Sequence, residues 1–193
     1  MLKRRNVKLH SDEMIRQLSK PELRATRLDR HAFVLAARLP VAIVLHNIIS
    51  GANVGAVFRL ADAILAEKIY LCGTTTPPTG RKMQKVSRKA ERWVPWEYCE
   101  STLAAVENLK AQQYHILAAE MCAQSVDYLD ADYPLPCALI LGAESEGLSP
   151  ELLSLADSVV ALPVRGMVNS LNVASVAAVL LYTIAARSRI ETA

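Results

Sequence analysis

The sequence has few of the patterns that usually disclose a chemistry. Its four cysteines, Cys72, Cys99, Cys122 and Cys137, stand far apart with no C-x-x-C pair, which argues against a zinc knuckle and gives no sign of a disulfide framework. Reduced, mostly buried thiols are expected. His10, His31, His46 and His115 are scattered without metal-ligand spacing, so no metal is expected. Neither a G-x-G-x-x-G fingerprint nor a P-loop occurs. No apolar run reaches the roughly 20 residues of a membrane span. The nearest, Leu171 to Ala186, is interrupted by Asn172, Ser175, Tyr182 and Thr183 and reads as a helix buried on most sides. The basic start Met1-Leu-Lys-Arg-Arg-Asn is not followed by an apolar stretch, so no secretory signal is read. The expectation is a cytoplasmic protein with no membrane partner. Internal repeats and low-complexity stretches are also lacking.

At 193 residues, 52% of them hydrophobic, the chain can bury one substantial core. A net charge of +3 conceals a separation. Residues 1–30 carry nine basic groups, Arg24, Arg27 and Arg30 among them, against four acids. Residues 81–92 carry six (Arg81, Lys82, Lys85, Arg88, Lys89 and Arg92) against Glu91 alone. The remainder of the chain is therefore acidic. Two concentrated basic runs on an acidic body suit a polyanion partner better than general solubility.

Residues 11–38 read as helix, with Ser11-Asp-Glu as a capped start and Pro21 beginning a second piece. Short apolar runs at Val41–Leu45, Lys68–Cys72, Tyr114–Ala119, Cys137–Leu141 and Ser158–Leu162 predict five strands. Helices are predicted between them at Asn53–Ala66, Thr102–Gln112 and Pro150–Leu155, and a final helix after Ser170. Gly73 to Arg92 is predicted to be one long loop. The pattern implies an α/β fold: a parallel sheet with helices on both faces, preceded by a basic helical extension. The expected division is 1–39 and 40–193.

Three loops at strand ends carry the unusual residues, and an open parallel sheet binds its ligand at such ends. The first runs Asn47-Ile-Ile-Ser-Gly-Ala-Asn53-Val-Gly55-Ala-Val-Phe-Arg59, the second Leu141-Gly142-Ala-Glu144-Ser-Glu-Gly147-Leu-Ser149, and the third Leu162-Pro-Val-Arg-Gly-Met167-Val-Asn-Ser170-Leu171-Asn172-Val-Ala174. Arg59 sits two turns into an otherwise apolar helix. Its guanidinium stays charged, so it either snorkels to the surface or faces a site that holds phosphate or carboxylate. Asn53 is placed to cap that helix while reaching the same pocket. Ser170 and Asn172, at the start of the last helix, read as an N-cap and its neighbour, or as a hydroxyl and an amide orienting a polar ligand. Trp93 and Trp96 flank Pro95 beyond the basic run and read more readily as core or interface anchors than as stacking platforms.

Together, in this order, the three segments resemble the motifs of the SpoU/TrmH family of RNA ribose 2′-O-methyltransferases, over roughly residues 41–186. The resemblance implies the SPOUT fold, whose C-terminal part is threaded as a deep trefoil knot, and a homodimer formed through that region. It implies that S-adenosylmethionine binds the knot, here through Gly142, Leu162, Met167, Ser170 and Leu171, with Ala119 as a further candidate. Arg59 resembles the arginine that acts on the ribose 2′-hydroxyl across the dimer interface, and Asn53 the asparagine that supports it. Glu144, Ser170 and Asn172 match the remaining catalytic positions.

The resemblance implies transfer RNA or ribosomal RNA as substrate, gripped by Arg24, Arg27, Arg30, Arg81, Lys82, Lys85 and Arg88. An RNA-binding protein of the same fold without catalysis is the alternative. The chain departs from the family pattern at Leu65, where glycine is usual, and in the shortened segment before Trp93, where Lys89-Ala-Glu-Arg92 lacks the customary Leu-Gly.

Overall fold

The computed structural model describes residues 16–25 and 29–191. The chain falls into two units, one ending at Ala37 and the other starting at Arg38. The first unit contains α1 (Lys20–Ala25) and α2 (Arg30–Leu35). Ser19 and Glu22 close a reciprocal capping pair on α1, the Ser19 N–H donating to Glu22 at 2.8 Å and the Glu22 N–H to Ser19 Oγ at 3.5 Å. Pro21 stands in its first turn, as the sequence predicts. Asp29 caps α2 by accepting from the Ala32 N–H at 2.8 Å. The predicted start at Ser11 lies outside the described residues.

The second unit is a seven-stranded, wholly parallel sheet. Its strands are β1 (Leu39–His46), β2 (Ala66–Cys72), β3 (Trp96–Cys99), β4 (His115–Ala119), β5 (Val126–Asp127), β6 (Cys137–Leu141) and β7 (Ser158–Ala161). Across the sheet they lie in the order β3-β2-β1-β6-β4-β7-β5. The central strands β1 and β6 are continuous apolar runs because both of their faces are covered. One face is covered by α3 (Gly51–Ala63), α4 (Arg81–Ser87) and α7 (Val173–Glu191), and the other by α5 (Thr102–Ala111) and α6 (Pro150–Leu155). The apolar stripe of α3 packs on the sheet through Val54, Val57, Phe58 and Ala61, each no more than 1% exposed.

From β1 the chain moves outward to β2 and β3, then crosses back to β4 on the other side of β6. The reversal opens a crevice at the carboxyl ends of the central strands.

Two strands and one helix go beyond the predicted set. The edge strand β3 alternates exposed and half-buried residues, so it lacks an apolar run. The strand β5 is two residues long. Residues 73–92 are not a single loop, since α4 lies within them, followed by a 3-10 turn at Ala90–Arg92. The basic run masks this helix because only Met83 and Ser87 of α4 are buried.

Leu65 follows the end of α3 with φ at 55°, the left-handed conformation that favours glycine just beyond a helix. A side chain there costs about 1–2 kcal/mol. This strain gives the departure at Leu65 a local meaning. Leu65→Gly is expected to raise the unfolding free energy by about 0.5–1 kcal/mol, after the added flexibility of the unfolded chain is discounted. Urea titration checks this, and a loss of stability would contradict the strain.

Candidate active site

The site grows from three loops that begin at the carboxyl ends of β1, β6 and β7. After β1, Ser50 caps α3 by accepting from the Asn53 N–H at 3.5 Å. The cap is therefore Ser50, and Asn53, at the third helical position, keeps its side-chain amide for other partners. That amide donates through Nδ2 to Glu144 Oε1 at 2.7 Å. Its Oδ1 accepts from Asn172 Nδ2 at 3.1 Å. Asn172 Oδ1 in turn accepts from the Ala174 N–H at 2.9 Å and the Ser175 N–H at 3.4 Å. Asn172, and not Ser170, thus caps α7.

A directed chain of amides therefore runs from the N-terminus of a 19-residue helix to a carboxylate. Every donor in it points towards Glu144. The dipole at the helix start favours negative charge, and the two amides extend that polarity across the crevice. Residues from all three sequence motifs meet in this chain.

Beside it lies a cavity of about 580 Å³, lined by residues 119–121, 141–147, 160–162 and 169–173, with Val164 and Val176. Gly142 and Gly147 set its floor. A Cβ on Gly142 would stand 2.6 Å from the Gly147 carbonyl carbon, so only glycine lets the two ends of this loop close. Gly147 itself has φ at 65°, and a Cβ there would collide with the Glu120 carboxylate.

Glu120 is the cavity residue that the sequence motifs do not reveal. Its Oε2 accepts from the Leu148 N–H at 2.8 Å, and its Oε1 from the Met121 N–H at 3.0 Å. The carboxylate thereby ties the end of β4 to the 142–148 loop. An acid directly after the apolar run His115–Ala119 was the available signal.

Among the residues singled out from sequence, Ala119, Gly142, Glu144, Leu162, Ser170, Leu171 and Asn172 all line this cavity. Met167 does not, and its side chain is fully exposed. Arg59 is exposed on α3 and makes no hydrogen bond or ion pair with the described residues. Arg24, Arg81, Lys82, Lys85 and Arg88 are exposed. Arg27 lies outside the described residues, and Arg30 opens α2. Among the described residues no group of acids, histidines and cysteines is arranged to hold a metal ion, and no helix is long and apolar enough to cross a membrane.

A second polar chain borders the crevice. Asn47 Oδ1 accepts from the Thr74 N–H at 2.9 Å, which fixes its amide orientation. Its Nδ2 therefore donates to His46 Nε2 at 3.1 Å. The remaining ring nitrogen, Nδ1, lies 2.7 Å from Thr102 Oγ1. This network assigns His46 as the neutral Nδ1–H tautomer. Burial lowers the His46 pKa, and the nearby Glu146 charge opposes that shift.

The model of the SpoU rRNA methylase family matches residues 40–182. Over 158 residues the chain is 32% identical to the tRNA (guanosine(18)-2′-O)-methyltransferase of Escherichia coli K12, covering 81% of this chain and 68% of that enzyme. Two solved structures have similar folds. The TrmH/SpoU tRNA modifying enzyme of A. aeolicus has a TM-score of 0.75 and 27% identity, covering 84% of this chain and 82% of that one. The AdoMet-bound rRNA methyltransferase of Sinorhizobium meliloti has a TM-score of 0.72 and 29% identity. That match covers 77% of this chain and only 56% of the Sinorhizobium chain.

A proton on His46 Nε2 would break the bond from Asn47. The unfolded chain takes up this proton near pH 6.5, whereas the folded chain does so only at lower pH. The stabilisation is therefore complete above about pH 6.5 and is lost as pH falls through the lower, folded value. Urea unfolding at pH 7.5 and 5.5 should show a loss of stability that is smaller in His46→Gln. An identical pH dependence in the two proteins would contradict the assignment.

Proposed function

This chain belongs to the SpoU rRNA methylase family, and on that premise we propose that its S-adenosylmethionine-dependent methyl transfer to an RNA ribose 2′-hydroxyl takes place where the Glu144–Asn53–Asn172 chain meets the cavity. The single observation carrying this placement is that relay, which brings together all three motifs beside a ligand-sized space. A cavity of about 580 Å³ is within the range of small-molecule sites. Small residues, Ala119, Gly142, Ala143, Gly147 and Ala161, make up part of its lining, so the residues fit a cofactor held largely by main-chain contacts.

When bound, the cofactor supplies a methyl group activated on a sulfonium sulfur. The chain's own residues then have to position a ribose in line with that methyl and stabilise the charge that develops on its oxygen. In this proposal Gly142, Leu162, Ser170, Leu171 and Ala119 hold the cofactor, and Met167, on the same loop, closes over it. Asn53 and Asn172 fix the orientation of Glu144, and Ser170 orients the ribose. Arg59, charged at any working pH, binds the adjacent phosphate and stabilises the developing alkoxide. Arginine is a reluctant base, so the 2′-hydroxyl proton leaves with the help of the phosphate oxygen that Arg59 holds.

The same proposal includes a homodimer and a C-terminal trefoil knot. Arg59 is not among the residues lining the cavity, and a second copy offers a way to bring one to the ribose. Ile49, Leu171 and Tyr182 expose 70%, 43% and 54% of their surfaces on motif loops and on α7. Apolar side chains of this size suit burial between copies. Residues 141–147 and 169–173, which such a knot would bring together, line one cavity. Transfer RNA is the proposed substrate, following the E. coli relative, with cytoplasmic residence and with residues 1–39 as a basic extension that helps to grip it.

The test is transfer of labelled methyl from S-adenosylmethionine to transfer RNA lacking the modification, followed by nuclease digestion. Guanosine 18 is the first nucleotide to inspect. Wild type should yield a 2′-O-methylnucleoside. Arg59→Ala should lower kcat by about 10²–10³ while leaving the cofactor Kd within about twofold. Mixing Arg59→Ala with Ser170→Ala should restore part of the activity if the arginine acts across a dimer. Failure to bind the cofactor, or methylation of a base instead of ribose, would overturn the proposal.

A further inference from the structure

The two tryptophans of the chain, Trp93 and Trp96, are 42% and 40% exposed, and Tyr98 is 57% exposed. Three large aromatic side chains thus face solvent within six residues, on or beside the edge strand β3. This is an unusual use of the largest apolar groups. Trp96 is paired with Ile69 and Tyr98 with Leu71 in the parallel register, so both rings stand on the sheet face shared with α3 and α4. The Tyr98 hydroxyl donates to the Gly73 carbonyl at 3.0 Å, which anchors its ring. Glu97, between them, points to the opposite face and is ion-paired with Lys68.

The segment leading into the rings is basic. Arg88, Lys89 and Arg92 are exposed on the segment leading to Trp93, and Arg38 donates to the Trp93 carbonyl at 3.2 Å. The one acid in that segment, Glu91, accepts from the Ser87 hydroxyl. Exposed aromatics next to a run of cations suit single-stranded nucleic acid: rings stack on bases while basic groups follow the phosphates. Tyr98 also lies near the carboxyl end of the sheet. The edge strand stands about 10 Å, two strand spacings, from β1, and β1 leads directly into the proposed site.

We propose that Trp96 and Tyr98 form a stacking platform for an unpaired nucleobase of the RNA substrate, with the 88–92 cations on its backbone. This deepens the methyltransferase reading and rests on it for the identity of the polyanion. The platform would take a base flanking the methylated nucleotide, on a looped-out or single-stranded stretch.

The test uses the intrinsic probe. In Trp93→Phe, Trp96 is the sole tryptophan, and its fluorescence is followed on addition of a transfer RNA transcript or of oligouridylate, without cofactor. Quenching that saturates with RNA is expected. In methyl transfer, Trp96→Ala should raise the KM for RNA about tenfold, with kcat and the cofactor Kd unchanged and Trp96→Phe recovering most of the loss. Because stacking is uncharged, the salt dependence of RNA binding should keep its slope. Absence of quenching together with an unchanged KM in Trp96→Ala would overturn the platform. So would a shift of Trp96→Ala from dimer to monomer in sedimentation, which would assign the rings to a protein interface. Quenching does not require catalysis, so failure of the methyltransferase reading would show separately, as RNA binding without methyl transfer.

Discussion

The arrangement depends most on one pair of side-chain amides. An asparagine amide accepts on one side and donates on the other, so a chain of two has a direction. Here the direction is imposed at both ends. The Ala174 and Ser175 N–H groups can only donate to Asn172, and an ionised Glu144 can only accept from Asn53. Neither amide can turn over without placing like groups face to face. Positions 144 and 172 lie 91 and 119 residues from position 53 along the chain, yet this constraint fixes the three relative to one another.

The rest of the fold serves to bring those three positions within reach. The switch from outward-running β1, β2 and β3 to β4 opens the crevice, and the buried runs of β1 and β6 make its walls rigid. Close approach of Gly142 to Gly147, and the Glu120 carboxylate gripping the Leu148 N–H, hold the middle loop. Each of these hydrogen bonds contributes only about 0.5–1.5 kcal/mol to stability. Their value is in geometry, since a loop displaced by 1 Å would cost far more in positioning a reacting ribose than in folding.

The sequence was legible where one physical cause dominated. Buried parallel strands such as Val41–Leu45 and Cys137–Leu141 announce themselves as apolar runs, and α3 through its 3.6-residue stripe. Legibility failed where two causes competed. Trp96–Cys99 is an edge strand of four residues with aromatics on one side and Glu97 on the other, too short for its alternation to mark it. The helix α4 buries two side chains and otherwise carries charge, which reads as loop. At the site, Ser170 and Asn172 are both good cap residues, and only the start of α7 at Val173 decides between them. Glu120 lies outside every motif, and its one mark in the sequence is that it is an acid closing an apolar strand. Leu65 was visible as a departure, but its meaning needed the backbone angle.

The central claim is that Asn53 and Asn172 act as one unit in holding Glu144. A double-mutant cycle tests it directly, with single-turnover methyl transfer to transfer RNA measured for Asn53→Ala, Asn172→Ala and the double variant. If the relay is one device, either single change breaks it, and the double variant should be slower than the worse single by no more than about threefold. Losses that multiply, as independent residues give, would contradict the account and leave the two asparagines with separate tasks.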